Sequence, residues 1–348
     1  MRQKRLIKLN DNRKIGDFHK PYIVAELNTS HFGDISIAKK MISKAKESGC
    51  DCVKLQSWKS DTLYSKSFLY NNPISKKFFD KYSLDNSQLK ELATYAKKIG
   101  ISFSSTPYSE EEVNFLVNEC NPAFIKIASM DLNNFLFLKF IAKKKIPLIL
   151  STGMGTIEEI ESAVKLLISN GQKNICILHC VSLYPLDHNI ANLKNIIMLR
   201  KKFKNIPIGY SDHSIGNTLP ISSIALGACV VEKHFTLDNK KIGIDNHMAT
   251  EPNEMQKLTS ECLIAYSSLG LEKRVLSKKE FNQRKKMRRS IFTREALIKN
   301  EKITLEKIIL RRPGEGISAD KMAKILGKKI KRNINKNTLL KISDIIFD

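Results

Sequence analysis

"IPIGYSDHSIGNTLPISSIALGACVVEKHF", residues 206–235, holds one complete repeat of the fold. A β-branched run ends in Ser211, Asp212 and His213. A helical stretch, "TLPISSIALG" (218–227), follows with apolar residues at three- and four-residue steps. A second run, "CVVEKHF" (229–235), ends in Glu232, Lys233 and His234. A period of two, then of 3.6, then of two again predicts strand, helix, strand. A helical crossover makes the two strands parallel. Both histidines then fall at the same end of neighbouring strands.

The pattern extends over residues 22–270. Strands are expected at "YIVAEL" (22–27), "DCVKLQSW" (51–58), "ISFSST" (101–106), "FIKIAS" (124–129), "PLILST" (147–152), "ICILHC" (175–180), "IPIGYS" (206–211) and "CVVEKHF" (229–235). Helices such as "SIAKKMISKAKESG" (36–49) and "SQLKELATYAKKIG" (87–100) lie between them and end on glycine. Eight such pairs in about 250 residues predict an α/β fold, the (β/α)8 TIM barrel. The alternative is a doubly wound open sheet, but no glycine-rich fingerprint follows the first strand.

Composition narrows the class of protein. The 348 residues are 42% hydrophobic and 27% charged, ordinary for a globular protein. No apolar run reaches the roughly 18 residues of a membrane span, and no apolar segment follows the basic N-terminus as in a signal peptide. Seven cysteines without a CxxC pair suit reduced thiols and a cytoplasmic location. The net charge is +24, and residues 271–348 carry 23 Lys/Arg against 9 Asp/Glu. Such a balance raises nucleic-acid binding. However, "RKKMRR" (284–289) has no interleaved aromatics for base stacking, and the reading favours an anionic small substrate without nucleic acid or membrane as partner.

The C-terminal strand ends of a barrel form its active site. That rim collects Glu26, Lys54, Gln56, Thr106, Lys126, Ser129, Ser151, Ser182, Tyr184, Ser211, Asp212 and Glu232. Buried lysines and carboxylates are costly unless paired, and the fold alone does not need them. His213 and His234 are expected to bind one divalent ion jointly, with open positions that suit Mn²⁺ or Mg²⁺ better than a closed zinc site. His31 is a further rim candidate. Lys54 and Lys126 with neighbouring hydroxyls form a cradle for phosphate and carboxylate. Glu26 is placed as general base or water-positioning group.

These motifs, in this order, resemble the sialic acid (nonulosonic acid) synthase family: "VKLQ" (53–56), "STPY" (105–108), "KIAS" (126–129), "LSTGM" (150–154), "GYSDHS" (209–214) and "EKHFTLD" (232–238). The resemblance implies a catalytic barrel over 1–270, a basic linker over 271–289, and a small antifreeze-like (SAF, β-clip) domain over 290–348. It implies condensation of phosphoenolpyruvate with the open-chain aldehyde of an N-acetylated hexose, releasing phosphate by C–O cleavage. Lys54, Thr106, Lys126, Ser129, Ser182 and Ser211 would bind phosphoenolpyruvate. Gln56, Asp131, Tyr184, Asp245 and Arg312 would face the sugar. The metal on His213 and His234 would be Mn²⁺, with Mg²⁺ or Co²⁺ as alternatives. A homodimer with swapped SAF domains is implied as well.

Some positions depart from the family pattern. "NTSHFG" (28–33) replaces a common Gly-x-Asn-His-x-Gly, and Asp131 in "ASMD" stands where glutamate is usual. Ser182 replaces a frequent asparagine, and "KIGIDN" (241–246) lacks a proline before Asp245. These differences lie on the sugar side. The acceptor expected here is N-acetylmannosamine-like, with a 2,4-diacetamido-trideoxyhexose, giving a legionaminate- or pseudaminate-type acid, as the alternative. A metal-dependent aldolase without phosphoenolpyruvate, and a non-catalytic basic barrel that binds carbohydrate or nucleic acid, are the competing readings.

Overall fold

Two short strands precede the expected alternation. β1 (Leu6–Lys8) and β2 (Lys14–Gly16) form an antiparallel hairpin. The expected strands follow as β3 (Tyr22–Glu26), β4 (Cys52–Ser57), β5 (Ser102–Pro107), β6 (Ile125–Ile127), β7 (Leu148–Ser151), β8 (Ile175–Cys180), β9 (Ile208–Asp212) and β10 (Val230–His234). In this computed structural model, which describes residues 6–347, these eight strands close into a parallel barrel with β10 beside β3. This unit is the expected TIM barrel. β6 is shorter than its sequence run, because Ser129 already opens a 3₁₀ turn.

Local chemistry sets the helix boundaries. Asp85, Ser109 and Thr156 each accept from the backbone N–H three residues on, while Gln88, Glu112 and Glu159 bond back to the capping residue. Gly100 ends the helix Asn86–Ile99 at φ 76°, a left-handed conformation that costs glycine little. Between β4 and that helix the chain makes a helical excursion, Ser60–Leu63, Lys66–Asn71 and Pro73–Tyr82. Sequence periodicity did not separate these short pieces.

The barrel interior is divided by polarity. Its lower half packs Val24, Cys52, Phe124, Ile149, Cys176 and Val230 against Ile7, Leu9 and Ile15 of the hairpin. The hairpin is tied to this end by the Asn10 N–H, which donates to the Ala123 carbonyl at 3.0 Å. The outward strand faces pack on the helices in the larger core. With an apolar plug below and helices around, the interior is polar at its upper end.

The chain divides into two units, one ending at Leu269 and one beginning at Gly270. The second contains an exposed helix, Lys278–Met287, within the stretch expected to be a linker. It continues with β11 (Ser290–Thr293) paired to β12 (Ile308–Arg311), and β13 (Lys329–Ile330) paired to β14 (Ile345–Ile346). Its small core is built on Ile291, Ile303, Ile308, Ile325, Ile330 and Ile345. Among the described residues, no helix is long and apolar enough to cross a membrane.

Candidate active site

Side chains alternate along a strand, so residues two apart share the barrel interior. At the upper strand ends this rule places Glu26, Lys54, Gln56, Thr106, Lys126, Ser211, Glu232 and His234 around one cavity of about 260 Å³. Ser151 at the end of β7 joins them, and the segments beyond the strands add Ser129, Ser182, Tyr184, His213 and Asp245 to its wall. Tyr108, Met130, Met154 and Cys180 also line it, although sequence reading did not single them out.

Two lysine–carboxylate pairs organise the floor. Lys54 pairs with Glu26 and donates to Thr106 Oγ1 at 2.8 Å. Lys126 Nζ meets Glu232 Oε1 at 2.9 Å, and Ser211 Oγ donates to the same oxygen at 3.2 Å. Burial favours the neutral form of Glu232, but Lys126 and Lys54 outweigh it and hold the pKa at about 2. Burial also opposes the charge on Lys54, and here Glu232 and Glu26 outweigh it and raise the pKa. Glu26 is raised, chiefly by burial and against the pull of Lys54. Glu232 Oε2 is buried without a hydrogen-bond partner, a polar valence left for a ligand.

Gln56 connects this floor to the wall. Its Nε2 donates to Glu26 Oε1 at 3.3 Å, and its Oε1 accepts from the Tyr108 hydroxyl at 3.1 Å. Across the cavity, the loop after β7 approaches the hydroxyls so closely that any side chain at Gly153 would push them aside. A Cβ on Gly153 would lie 2.1 Å from Ser182 Oγ, and its N–H donates to Ser129 Oγ at 3.0 Å. The Ser151 hydroxyl is buried and unpartnered. Five serine and threonine hydroxyls and the ammonium groups of Lys54 and Lys126 thus face one space, which suits an anion bearing phosphate and carboxylate.

The histidines occupy the adjoining wall. Their ring centroids are 5.4 Å apart, and Tyr184 lies 4.1 Å from His213. Burial lowers the pKa of His213 to about 4 and that of His234 well below its ordinary value, so both are neutral. His213 Nδ1 donates to the Val181 carbonyl at 2.8 Å, which leaves the Nε2 lone pair available. Among the described residues no three His, Cys, Asp or Glu side chains gather as a closed metal cage. Two neutral imidazoles facing a polar cavity fit an open divalent site whose other ligands are water or substrate. Asp245, which accepts from Asn28 Nδ2, lies 4.0 Å from His234 Nδ1.

Three of the expected rim residues, Asp212, His31 and Asp131, lie off this cavity. Asp212 is not on the cavity; it points outward from β9 and pairs with Lys233. His31 accepts from the Gly33 N–H at 3.1 Å and closes its own turn. Asp131 is buried off the cavity wall, with Asn134 bonded to one of its oxygens. Arg312 follows β12 in the second unit and is exposed.

Comparison with known proteins agrees with this architecture. Residues 41–274 match the NeuB family and residues 288–346 the SAF domain. N,N'-diacetyllegionaminic acid synthase of Campylobacter jejuni is 37% identical, over 92% of this chain and 99% of that protein. Mouse N-acetylneuraminate-9-phosphate synthase is 33% identical over 93% of this chain and 92% of its own length. The crystal structure of an N-acetylneuraminic acid synthetase from Leptospira borgpetersenii, in complex with citrate, superposes with a TM-score of 0.75 at 32% identity. It covers 80% of this chain and 95% of that one. The barrel, its polar mouth and the appended small domain define a synthase architecture of the sialic acid type. The chain belongs to the NeuB family.

Proposed function

We propose that the protein condenses phosphoenolpyruvate with the aldehyde of an N-acetylated hexose to form a nonulosonic acid and inorganic phosphate. The observation that carries this reading is the pairing of the Lys54 and Lys126 anion cradle with two neutral histidines in one cavity. In this reading Lys54, Thr106, Lys126, Ser129, Ser182 and Ser211 hold the phosphate and carboxylate of phosphoenolpyruvate. Gln56, Tyr184 and Asp245 orient the sugar. His213 and His234 would hold a divalent ion, Mn²⁺ by preference, which when bound would supply Lewis-acid polarisation of a carbonyl oxygen.

Carbon C3 of phosphoenolpyruvate attacks the aldehyde carbon, and water adds at C2. The C2–O bond to phosphate then breaks, so the bridging oxygen leaves with phosphate. Glu26, whose raised pKa brings it nearer neutrality, takes one proton from that water and returns it to the departing oxygen. The water's second proton leaves the C2 hydroxyl as the carbonyl forms and ends on the former aldehyde oxygen, which becomes a hydroxyl. A panel of acetamido sugars offered with phosphoenolpyruvate and Mn²⁺, followed by phosphate release, tests the assignment. Absence of release with every sugar would refute it.

A second acceptor, a 2,4-diacetamido-trideoxyhexose, is favoured by the 36% and 37% identity to two N,N'-diacetyllegionaminic acid synthases. The same panel separates it from N-acetylmannosamine.

The reading includes a homodimer. Its support is a set of exposed apolar side chains on loops of the barrel's upper face: Met130, Met154, Leu183, Ile215 and Ile242. Arg312 of a second copy would reach the sugar there. The buried free cysteines and the soluble substrates suit a cytoplasmic enzyme.

A further inference from the structure

The residues immediately before the two histidines are bonded to each other. Asp212 precedes His213 at the end of β9, and Lys233 precedes His234 at the end of β10. Strand alternation sends both away from the cavity. The strand register sets them side by side, and Lys233 Nζ meets Asp212 Oδ2 at 2.6 Å, with each residue only 1% exposed. The same ammonium donates to the carbonyl of Ser214, the residue after His213. One side chain of β10 therefore bonds to the residues on both sides of His213, to the carboxylate of Asp212 and the carbonyl of Ser214.

The carboxylate is saturated by donors from the same turn. Tyr210 OH donates to Asp212 Oδ1 at 2.9 Å and the Ser214 N–H at 3.1 Å, while Ser214 Oγ donates to Oδ2 at 3.0 Å. A fully buried ion pair gives little net stability over apolar side chains of similar size, because desolvation offsets the attraction. Stability alone does not explain its presence here, whereas a fixed geometry does. The pair ties two strand ends that touch only through a short ladder, at the level where the two imidazoles must stay a set distance apart.

We infer that Asp212 and Lys233 are positioning residues, a clamp behind the barrel wall that sets the separation and orientation of His213 and His234 for a divalent ion. This inference rests on the two-histidine metal site proposed above. It assigns the outward carboxylate and ammonium a role that neither substrate contact nor proton transfer supplies.

The test is Mn²⁺ affinity of the chelated, dialysed full-length protein, read by the electron paramagnetic resonance signal of free Mn²⁺. Wild type, His213→Ala, and the charge-free double variant Asp212→Asn/Lys233→Met are compared. Loss of an outer partner of a metal ligand typically weakens binding ten- to a hundredfold. The double variant is expected to lose that much Mn²⁺ affinity while its far-ultraviolet circular dichroism stays that of wild type. Should it not fold, Lys233→Arg keeps the charge, alters only the geometry and is read in the same way. Wild-type Mn²⁺ affinity in the folded variant would overturn the clamp. Equal Mn²⁺ binding by wild type and His213→Ala would instead overturn the metal site, a separate and distinguishable failure.

Discussion

Lys126 and Glu232 face each other across the full width of the barrel. They stand on β6 and β10, four strands apart in a ring of eight, and their charged atoms meet at 2.9 Å. The bond crosses just above the apolar plug and forms the floor of the cavity. Truncating one partner of a buried pair typically costs about 3–5 kcal/mol, because the other charge is left uncompensated. Lys126→Met is therefore expected to destabilise the barrel by that amount in urea unfolding and to abolish phosphate release. Lys126→Met/Glu232→Met should recover most of the stability and none of the activity. Full recovery of both would show that the pair has no part in binding.

Metal removal gives a second expectation. Thorough chelation should abolish turnover, and Mn²⁺ should restore it. His213→Ala should lose most activity even with excess Mn²⁺, while retaining the fold by circular dichroism. Turnover that survives chelation would exclude the metal site.

Acid should weaken the fold through buried histidines. Burial lowers the pKa of His31 from 6.5 to about 4, and its ring accepts the Gly33 N–H only when Nδ1 is unprotonated. The unfolded chain takes up this proton at higher pH than the folded one. The stability contribution is thus complete above pH 6.5 and is lost as pH falls through about 4. His31→Asn keeps an acceptor and removes the titration. Its unfolding free energy should fall less steeply between pH 6 and 4, by up to the contribution of one proton.

Tyr108 bears on how Gln56 presents its amide. The Tyr108 hydroxyl donates to Gln56 Oε1, which turns Nε2 toward Glu26. Removing the hydroxyl in Tyr108→Phe frees the amide to turn over. A fall in kcat of about tenfold, equivalent to one neutral hydrogen bond of roughly 1.4 kcal/mol, is expected with little change in KM for phosphoenolpyruvate. In a Gln56→Leu background the same substitution should have no further effect. Additive losses would show that Tyr108 acts independently.

A shared active site makes a prediction about mixtures. Arg312→Ala and His213→Ala should each be severely impaired alone, since each homodimer damages every site. Refolded together, mixed dimers would hold one site with both residues intact, and activity should reappear. Its absence in proven mixed dimers would refute sharing.

The alternation of strands and helices is legible in the chain of residues, because hydrophobic period is a local property. "IPIGYS" and "CVVEKHF" read as strands from their own residues; β10 lies within its run, and β9 starts within its run and continues one residue further, to Asp212. The meeting of ionisable groups at the strand ends is legible too, since parallel strands share a direction and period two assigns the faces. Lys54, Lys126, His213 and His234 all reach the one cavity. Tertiary structure decided what depends on partners distant in the chain. Asp212 reads like Glu232, yet residue 212 falls on the outer face and finds Lys233, whereas Glu232 finds Lys126 a hundred positions away. The hairpin plug is six residues of strand with too little periodicity to recognise, and it exists because the open lower end of the barrel offers Ile7 and Ile15 a surface to bury. Side-chain type limits what a residue can do, while the neighbour across the barrel decides which of those things it does.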